Sequence, residues 1–184
     1  MAILDVVEWP AKVLETKAEP VTKFDEELKT FVANMKETMI SANGIGLAAN
    51  QVGDLRRVIV IQIPYVAPEE GENAEEKRPW HDQEFVLINP EIVAKKGKIK
   101  YMEGCLSFPE MFDFVDRAAE LTLKYFDENG NEKMVEADGL FSVCIQHEID
   151  HIDGIVFIKR MSRLKSGRIK KKMMERASAR AIAE

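Results

Sequence analysis

The sequence predicts an α+β fold in which antiparallel β-sheets pack around a central helix that carries an HExxH motif, with a further helix at the C-terminus. β-branched runs separated by turn signals predict strands. One segment with apolar residues at helical spacing contains QHEIDH at 146–151. A basic segment at about 162–184 predicts the last helix. A chain of 184 residues suits one core, so residues 1–184 are expected to form a single domain.

Composition and hydropathy narrow the class of protein. The chain is 46% hydrophobic and 32% charged, as soluble globular proteins are. No apolar run approaches the length of a bilayer span, and the first residues lack the pattern of a secretory signal. Two cysteines are too few for a disulfide framework. We therefore expect a cytoplasmic protein without a membrane partner.

The first half of the chain predicts one helix and one strand. Thr22 and Asp25 match a capping box, and apolar residues at helical spacing predict a helix over 24–41 that ends in a loop at 41–46. The run RVIVIQI at 57–63 predicts a strand. Segment 62–84 is acidic and has no apolar period, which predicts an exposed loop with His81 at the surface and not bound to a metal.

The second half predicts a hairpin and two helices. Segments 85–88 and 92–94 are expected to be strands on either side of Asn89 and Pro90, and segments 121–127 and 132–136 flank an Asn-Gly turn signal. Asp138 is expected to cap the next helix and Gly154 to end it. One face of that helix would carry the following residues: Leu140, Val143, Cys144, His147 and His151.

The HExxH motif indicates a metal site. His147 and His151 are four residues apart, so both project from one helical face and can bind one ion. Glu148 lies one residue round the helix, where it can take a proton from an attacking water. The alternative is a helix with two half-buried histidines and no metal.

A catalytic metal needs a third protein ligand and an open position. No histidine follows His151, so the best candidate is Cys105 in the segment EGCLSFP at 103–109. A thiolate suits zinc or ferrous iron. The alternative is a buried cysteine that acts as a small hydrophobe, which fits Cys144 better.

A third segment, GIGLAANQ at 44–51, combines glycines and alanines that permit close approach of the backbone to another group. Its spacing matches neither a dinucleotide-binding fingerprint nor a phosphate-binding loop. Gln51 is an uncharged donor that could bind a developing oxyanion. Taken alone, the segment also fits a tight packing turn.

Together and in this order, the three segments closely resemble the motifs of the peptide deformylase family, and the resemblance covers nearly the whole chain. The helical tail and EGCLSFP are similar to the bacterial-type branch. The resemblance implies a single catalytic domain that removes the formyl group from the N-terminal formyl-methionine of nascent polypeptides and releases formate. It also implies one divalent ion, with Fe²⁺ expected in the cell and Zn²⁺, Ni²⁺ or Co²⁺ able to substitute.

The resemblance also implies residue roles. Metal ligands would be Cys105, His147 and His151, with Glu148 as general acid and base. The Gln51 side chain and the backbone N–H of Leu106 would bind the oxyanion. Gly46 would present backbone to the substrate, and the methionine pocket would be built from Ile45, Leu140, Val143, Cys144 and the stem of Glu103. Three features depart from the family pattern and leave substrate reach open: the long loop 62–84, Tyr101, and Phe112 where some members carry a basic residue.

Charge adds a possible partner. Residues 159–184 carry a net charge of +8 and the remainder −14, which fits a polyanion such as the ribosome for the tail, or a helix whose charges are merely solvated. Two other functions stay open at this point. An HExxH endopeptidase would need a ligand downstream of the motif, and a ribosome-binding module would hold a structural metal with four protein ligands.

Overall fold

A computed structural model describes residues 2–65 and 78–183 and contains two antiparallel sheets and three α-helices in that part of the chain. The large sheet has the order β1-β2-β3-β6-β7, and β4 pairs with β5. In chain order the elements are α1 (Glu26–Ser41), β1 (Gly46–Ala48), β2 (Val58–Gln62), β3 (Glu84–Lys96), β4 (Ile99–Cys105), β5 (Phe108–Arg117), β6 (Glu120–Phe126), β7 (Glu132–Asp138), α2 (Gly139–Ile152) and α3 (Arg163–Ala183). The predicted antiparallel sheets and C-terminal helix are confirmed.

Strand β2 shows how the large sheet is covered on both faces. Its residues alternate between two apolar clusters: Ile59 and Ile61 pack in the cluster that contains the apolar side chains of α2, whereas Val58 and Val60 pack in the cluster that contains those of α1. Successive side chains of a strand point to opposite faces. The uninterrupted apolar run therefore reflects a strand buried between two helices, and α2 lies against one face of the sheet.

The N-terminus of α1 lies later than the sequence predicts. Asp25 is the N-cap, because its side chain accepts a hydrogen bond from the backbone N–H of Leu28 at 3.1 Å. The predicted capping box that begins at Thr22 is wrong, since residue 22 precedes the helix by four positions. The predicted helix itself is confirmed, with its apolar stripe buried against the large sheet.

Strand β3 is continuous, so the prediction of two strands separated at Asn89 and Pro90 is wrong. Pairing with β6 shifts between Ile88 and Glu91, where Asn89 adopts a left-handed conformation with φ of 50°. The Asn89 side chain bonds both the N–H and the carbonyl of Val21 at 2.8 Å. Asn89 and Pro90 therefore form a β-bulge within one strand and do not separate two strands. The hydrogen bonds of Asn89 also connect the N-terminal segment to the sheet.

The β6–β7 hairpin is confirmed at the predicted Asn-Gly signal. Phe126 pairs with Glu132, and Gly130 has φ of 81°, which only glycine adopts without strain. Asp127 accepts hydrogen bonds from the backbone N–H groups of Asn129 and Asn131. The backbone N–H of Asp127 also donates to the carbonyl of Asn131 at 2.9 Å, so residues 128–130 form a three-residue loop that contains the left-handed glycine, not a two-residue turn.

Helix α2 begins and ends where predicted, and Asp138 is its N-cap residue, but the Asp138 side chain makes no capping hydrogen bond. The Asp138 carboxylate accepts a hydrogen bond from the indole of Trp80 at 2.8 Å instead. His81 follows that tryptophan and is buried, with ring centroids 4.1 Å apart and its Nδ1 accepting from the N–H of Arg78. The prediction of a surface His81 is wrong. Trp80 packs in the hydrophobic core, and the adjacent His81 is buried beside it. Residues 66–77 of the predicted acidic loop lie outside the described residues.

Helix α3 packs by an apolar stripe. Ile169 and Met173 are buried in a third cluster together with Phe108 and Phe157. No helix in the described ranges 2–65 and 78–183 is both long and apolar enough to cross a membrane.

Candidate metal centre

Three side chains from two distant segments converge at one point. Cys105 Sγ lies 3.1 Å from His151 Nε2, which lies 3.2 Å from His147 Nε2. All three donor atoms are within 4.8 Å of one another. Tetrahedral coordination with ordinary zinc bond lengths would place such donors about 3.4–3.6 Å apart. The three donor atoms are therefore close enough together to hold one ion, and the predicted third ligand, Cys105, lies beside both histidines.

Local structure explains this convergence. His147 and His151 occupy consecutive turns on one face of α2, so their rings meet edge to face with centroids 4.9 Å apart. Cys105 is the last residue of β4, and the chain turns back within two residues into β5. The pKa of His151 is lowered, mainly by burial and to a smaller extent by the positive charge of His147. The neutral imidazole is the form that can bind a metal.

Glu103 orients His147. The Nδ1 atom of His147 lies 2.8 Å from Glu103 Oε2, so Nδ1–H donates to the carboxylate and Nε2 is directed to the cluster. Burial would raise the pKa of Glu103, but hydrogen bonds from Arg117 and His147 outweigh it and hold that pKa at about 2. Burial likewise opposes protonation of His147, yet hydrogen bonds with Cys105 and Glu103 raise its pKa. A metal ion would displace the proton on Nε2.

Behind Glu103 lies a chain of buried ion pairs that the sequence analysis missed. Arg117 bonds Glu103 at 2.7 Å through Nε and Asp150 at 2.6 Å through Nη1. Asp150 in turn accepts from Arg160 Nε at 2.9 Å. Each buried charge is therefore compensated. The residue that could have predicted this network is Asp150 in QHEIDH. It is an acidic residue on a helix that is largely apolar and whose residues are nearly all buried, so it needs a buried cation as partner.

Glu148 is next to the cluster but is not one of the converging donors. It is buried, and its Oε2 has no hydrogen-bond partner among the described residues. Burial raises its pKa to about 7, although the positive charge of His147 acts against this. A β-carbon at Gly46 would lie 2.5 Å from Glu148 Oε1 and 2.8 Å from Cys144 Sγ. Glycine at position 46 is thus required by the approach of the carboxylate.

Gln51 places an amide N–H₂ beside the cluster. Its Oε1 accepts a hydrogen bond from the backbone N–H of Ala48 at 2.9 Å, which fixes the orientation of the amide. Its Nε2 then lies 3.6 Å from Cys105 Sγ and 3.3 Å from Ser107 Oγ. The predicted uncharged donor therefore faces the centre.

A cleft of about 540 Å³ opens onto these groups, between the edge strand β1 and strand β4. Gln51, Cys105, Leu106, His147 and Glu148 line it. Burial raises the pKa of the Cys144 thiol, so Cys144 stays protonated and acts as part of an apolar wall. The cleft also contains every residue predicted to contact substrate: Ile45, Gly46, Glu103, Leu140, Val143 and Cys144.

Residues 3–167 match the family model described as polypeptide deformylase. The chain belongs to the polypeptide deformylase family. Peptide deformylases of Neisseria gonorrhoeae and Chromobacterium violaceum are each 44% identical over 96% of this chain and 97% of their own. A crystal structure of the Legionella pneumophila peptide deformylase has a TM-score of 0.82 at 36% identity, covering 98% of both chains.

The same deformylase fold recurs in an inhibitor complex. The Ehrlichia chaffeensis peptide deformylase with actinonin has a TM-score of 0.84 at 38% identity, covering 96% of this chain and 98% of that one. Membership in the deformylase family makes the chain an enzyme, a metal-binding hydrolase that acts in protein biosynthesis.

Proposed function

We propose that the chain removes the formyl group from the N-terminal formyl-methionine of nascent polypeptides and releases formate. The observation that carries the proposal is the three-donor cluster of Cys105, His147 and His151 beside the buried carboxylate of Glu148, whose Oε2 has no hydrogen-bond partner among the described residues. A nucleophile generated at that cluster would be next to a base and at the floor of an apolar cleft.

A divalent ion held by Cys105, His147 and His151 would supply Lewis acidity and make a water acidic enough to attack near neutral pH. Glu148 accepts the proton of that water as its oxygen bonds to the formyl carbon. Gln51 Nε2 and the backbone N–H of Leu106 donate to the oxyanion, and one such donor contributes roughly 3 kcal/mol. Glu148 then gives the proton to the leaving nitrogen, the C–N bond breaks, and formate and a free amino terminus are released.

Substrate binding would follow the shape of the cleft. Within residues 2–65 and 78–183, β1 and β4 each have one edge without a partner strand, so an extended peptide can add between them through backbone hydrogen bonds. Gly46 lies on one edge of the cleft and permits close approach. The methionine side chain would enter the pocket of Ile45, Leu140, Val143 and Cys144, whose apolar walls suit a flexible thioether.

The expected metal in the cell is Fe²⁺, as in the family resemblance. One thiolate and two imidazoles also suit Zn²⁺, Ni²⁺ and Co²⁺. A structural role for the metal is disfavoured, since no fourth acidic, cysteine or histidine side chain within residues 2–65 and 78–183 joins the cluster. An endopeptidase with a downstream ligand is disfavoured by the position of Cys105.

The test is an anaerobic assay of formate release from formyl-Met peptides, with Fe²⁺, Zn²⁺, Ni²⁺ and Co²⁺ loaded separately. Glu148→Gln should keep its metal content and lose about 10²–10⁴-fold in kcat, because Glu148 moves protons and is not a ligand. Glu37→Gln is a matched control: its carboxylate also has an unpartnered buried oxygen but lies on α1, outside the cleft. Release of no formate with any of the four ions, or normal turnover by Glu148→Gln, would contradict the proposal.

We also propose that α3 docks on the ribosome and that the enzyme works in the cytoplasm, where formylated chains emerge. The buried stripe of Ile169 and Met173 leaves the opposite face of α3 to solvent. Within the described residues, four exposed cations of α3 have no carboxylate within 4 Å: Arg163, Arg168, Lys170 and Lys172. Exposed, unpaired cations suit RNA phosphates.

Charge variants test this better than removal of α3, which would expose the cluster around Met173. Replacing residues 170–172 with Ala should flatten the salt dependence of ribosome binding, by about 0.7–0.9 in the log–log slope for each lost phosphate contact. Hydrolysis of a short peptide should be retained. A matched control replaces Lys95, Lys96 and Lys98, which removes the same charge elsewhere. Equal ribosome binding by both triple variants at every salt concentration would refute docking.

A further inference from the structure

The two histidines of the metal centre differ in what holds the second ring nitrogen. His147 Nδ1 lies 2.8 Å from a carboxylate oxygen of Glu103. His151 Nδ1 is buried and has no hydrogen-bond partner among residues 2–65 and 78–183. A histidine that binds a metal through Nε2 carries its proton on Nδ1, and an acceptor for this N–H normally fixes the orientation of the ring. His151 therefore needs a positioning group that the HExxH motif does not supply.

Asn50 forms a hydrogen bond with the backbone of His151. It is fully buried, lies in the 3₁₀ turn Ala49–Val52 and donates from Nδ2 to the carbonyl of His151. That carbonyl is in the last turn of α2 and also accepts from the N–H of Gly154 at 2.9 Å. Asn50 thus connects two segments that are 101 residues apart and holds the end of the helix that carries the second histidine.

The unpartnered atoms of these two residues are complementary. In the described part of the chain, Asn50 Oδ1 is a buried acceptor without a donor, and His151 Nδ1 is a buried ring nitrogen without a partner. Native proteins retain few such atoms, and here two of them occur in residues that already share a hydrogen bond. Asn50 therefore offers a donor to the backbone of His151 and an acceptor for the Nδ1–H that its metal-bound ring would carry.

Asn50 would act on the metal through His151 and not on the substrate. It does not line the cleft, whereas the next residue, Gln51, lines it and directs its amide to the metal centre. The turn Ala49–Val52 is itself held in place, because the carbonyl of Gln51 accepts from the backbone N–H of Val7 at 2.7 Å. A fixed turn can therefore position the helix end that packs against it.

We propose that Asn50 is a positioning residue for His151 and serves the second histidine as Glu103 serves the first. Loss of its amide would then weaken metal binding before it affects any step of the reaction. The inference rests on the proposed function only through the metal site, because metal affinity can be measured without substrate.

Asn50→Val and Asn50→Thr test this as an isosteric pair. The two side chains have nearly the same shape, but only threonine keeps a group that can donate and accept. Asn50→Val should lower Zn²⁺ affinity about 10–100-fold, measured by competition with a chelator. It should also shift the visible absorption bands of the Co²⁺-loaded protein, because these bands depend on ligand geometry. Asn50→Thr should stay within about threefold of the unchanged chain, because its hydroxyl can replace the amide.

Asn89→Gly is the control for general destabilisation. Asn89 makes the same type of contact, since its Nδ2 donates to the carbonyl of Val21 at 2.8 Å, and glycine tolerates its φ of 50°. This variant should lower Tm and keep the Zn²⁺ affinity of the unchanged chain. If Asn50→Val does not fold, Asn50→Ala and Asn50→Ser repeat the comparison with smaller side chains.

Three results would overturn the inference. Equal Zn²⁺ affinity of Asn50→Val and Asn50→Thr, or a matching loss of affinity in Asn89→Gly, would do so and leave the proposed function intact. Absence of Zn²⁺ binding by the unchanged chain would instead refute the proposed metal site, and the inference would fall with it.

Discussion

Gly46→Ala should inactivate the enzyme without touching a metal ligand. The added methyl carbon would lie 2.5 Å from Glu148 Oε1 and 2.8 Å from Cys144 Sγ. Contact distances near 3.5 Å require a shift of about 0.5–1 Å, and the carboxylate is the group that can give way. A displacement of about 1 Å in a catalytic group costs on the order of 10² in rate. We therefore expect kcat to fall about 100-fold.

Measurements of metal content and thermal stability distinguish a loss of activity in Gly46→Ala from misfolding of the variant. The atoms nearest to the new methyl group belong to Glu148 and Cys144 and not to Cys105, His147 or His151, so metal content should stay at the level of the unchanged chain. Overpacking of this kind costs about 1–3 kcal/mol, which lowers Tm by roughly 3–10 °C in a domain of this size. The measurements are formate release, metal analysis and thermal unfolding on the same preparation.

Gly167→Ala is the control for the same substitution. Position 167 lies in α3, and a β-carbon there would meet no atom within 4 Å. Its activity should be unchanged, and Tm should rise slightly because Ala favours a helix by up to about 1 kcal/mol. Gly46→Ala with kcat within threefold of the unchanged chain would refute the packing argument and the role given to Glu148.

Further predictions concern the thiols, the support of His147 and the methionine pocket. Cys105→Ser should lower metal affinity, whereas Cys144→Ala should mainly change packing. Metal loss in Cys144→Ala alone would show that Cys144, and not Cys105, is the metal ligand. Glu103→Gln should weaken metal binding about 10–100-fold, measured by competition with a chelator, because it replaces the carboxylate that orients His147 with a neutral amide. Finally, kcat/KM should fall from formyl-Met through formyl-Leu to formyl-Asp peptides, and equal values would exclude the apolar pocket.

Sequence patterns predict the features of this fold and site that depend on local periodicity or on a single glycine. His147 and His151 meet because a helix places positions four apart on one face, which needs no knowledge of the rest of the chain. The hairpin at Gly130 and the end of α2 at Gly154 follow from left-handed conformations that glycine favours. Cys105 is 42 or more residues from the histidines, so no local period predicts its position; its choice as third ligand depended on thiolate chemistry, the lack of a later histidine and the family resemblance.

Features that depend on distant contacts were not predictable. Strand β1 has three residues and exists through its pairing with β2, so its own sequence gives no strand period. Burial of His81 follows from the docking of Trp80 near Phe141, and the bulge at Asn89 follows from its bonds to Val21. Each of these outcomes depends on a partner far along the chain.

The pattern of satisfied and unsatisfied polar atoms points to the same site as the motifs. In the described part of the chain, four buried side-chain atoms lack a hydrogen-bond partner: Glu37 Oε2, Asn50 Oδ1, Glu148 Oε2 and His151 Nδ1. Glu148 and His151 belong to the metal centre, and Asn50 donates to the carbonyl of His151. An unpaired buried polar atom costs about 1–3 kcal/mol, and native proteins retain few of them. By contrast, Arg117 and Asp150 are fully paired although they lie just behind the ligands. The fold thus satisfies the charges behind the proposed ligands and leaves unpaired the carboxylate oxygen that, in the proposed mechanism, accepts and releases a proton.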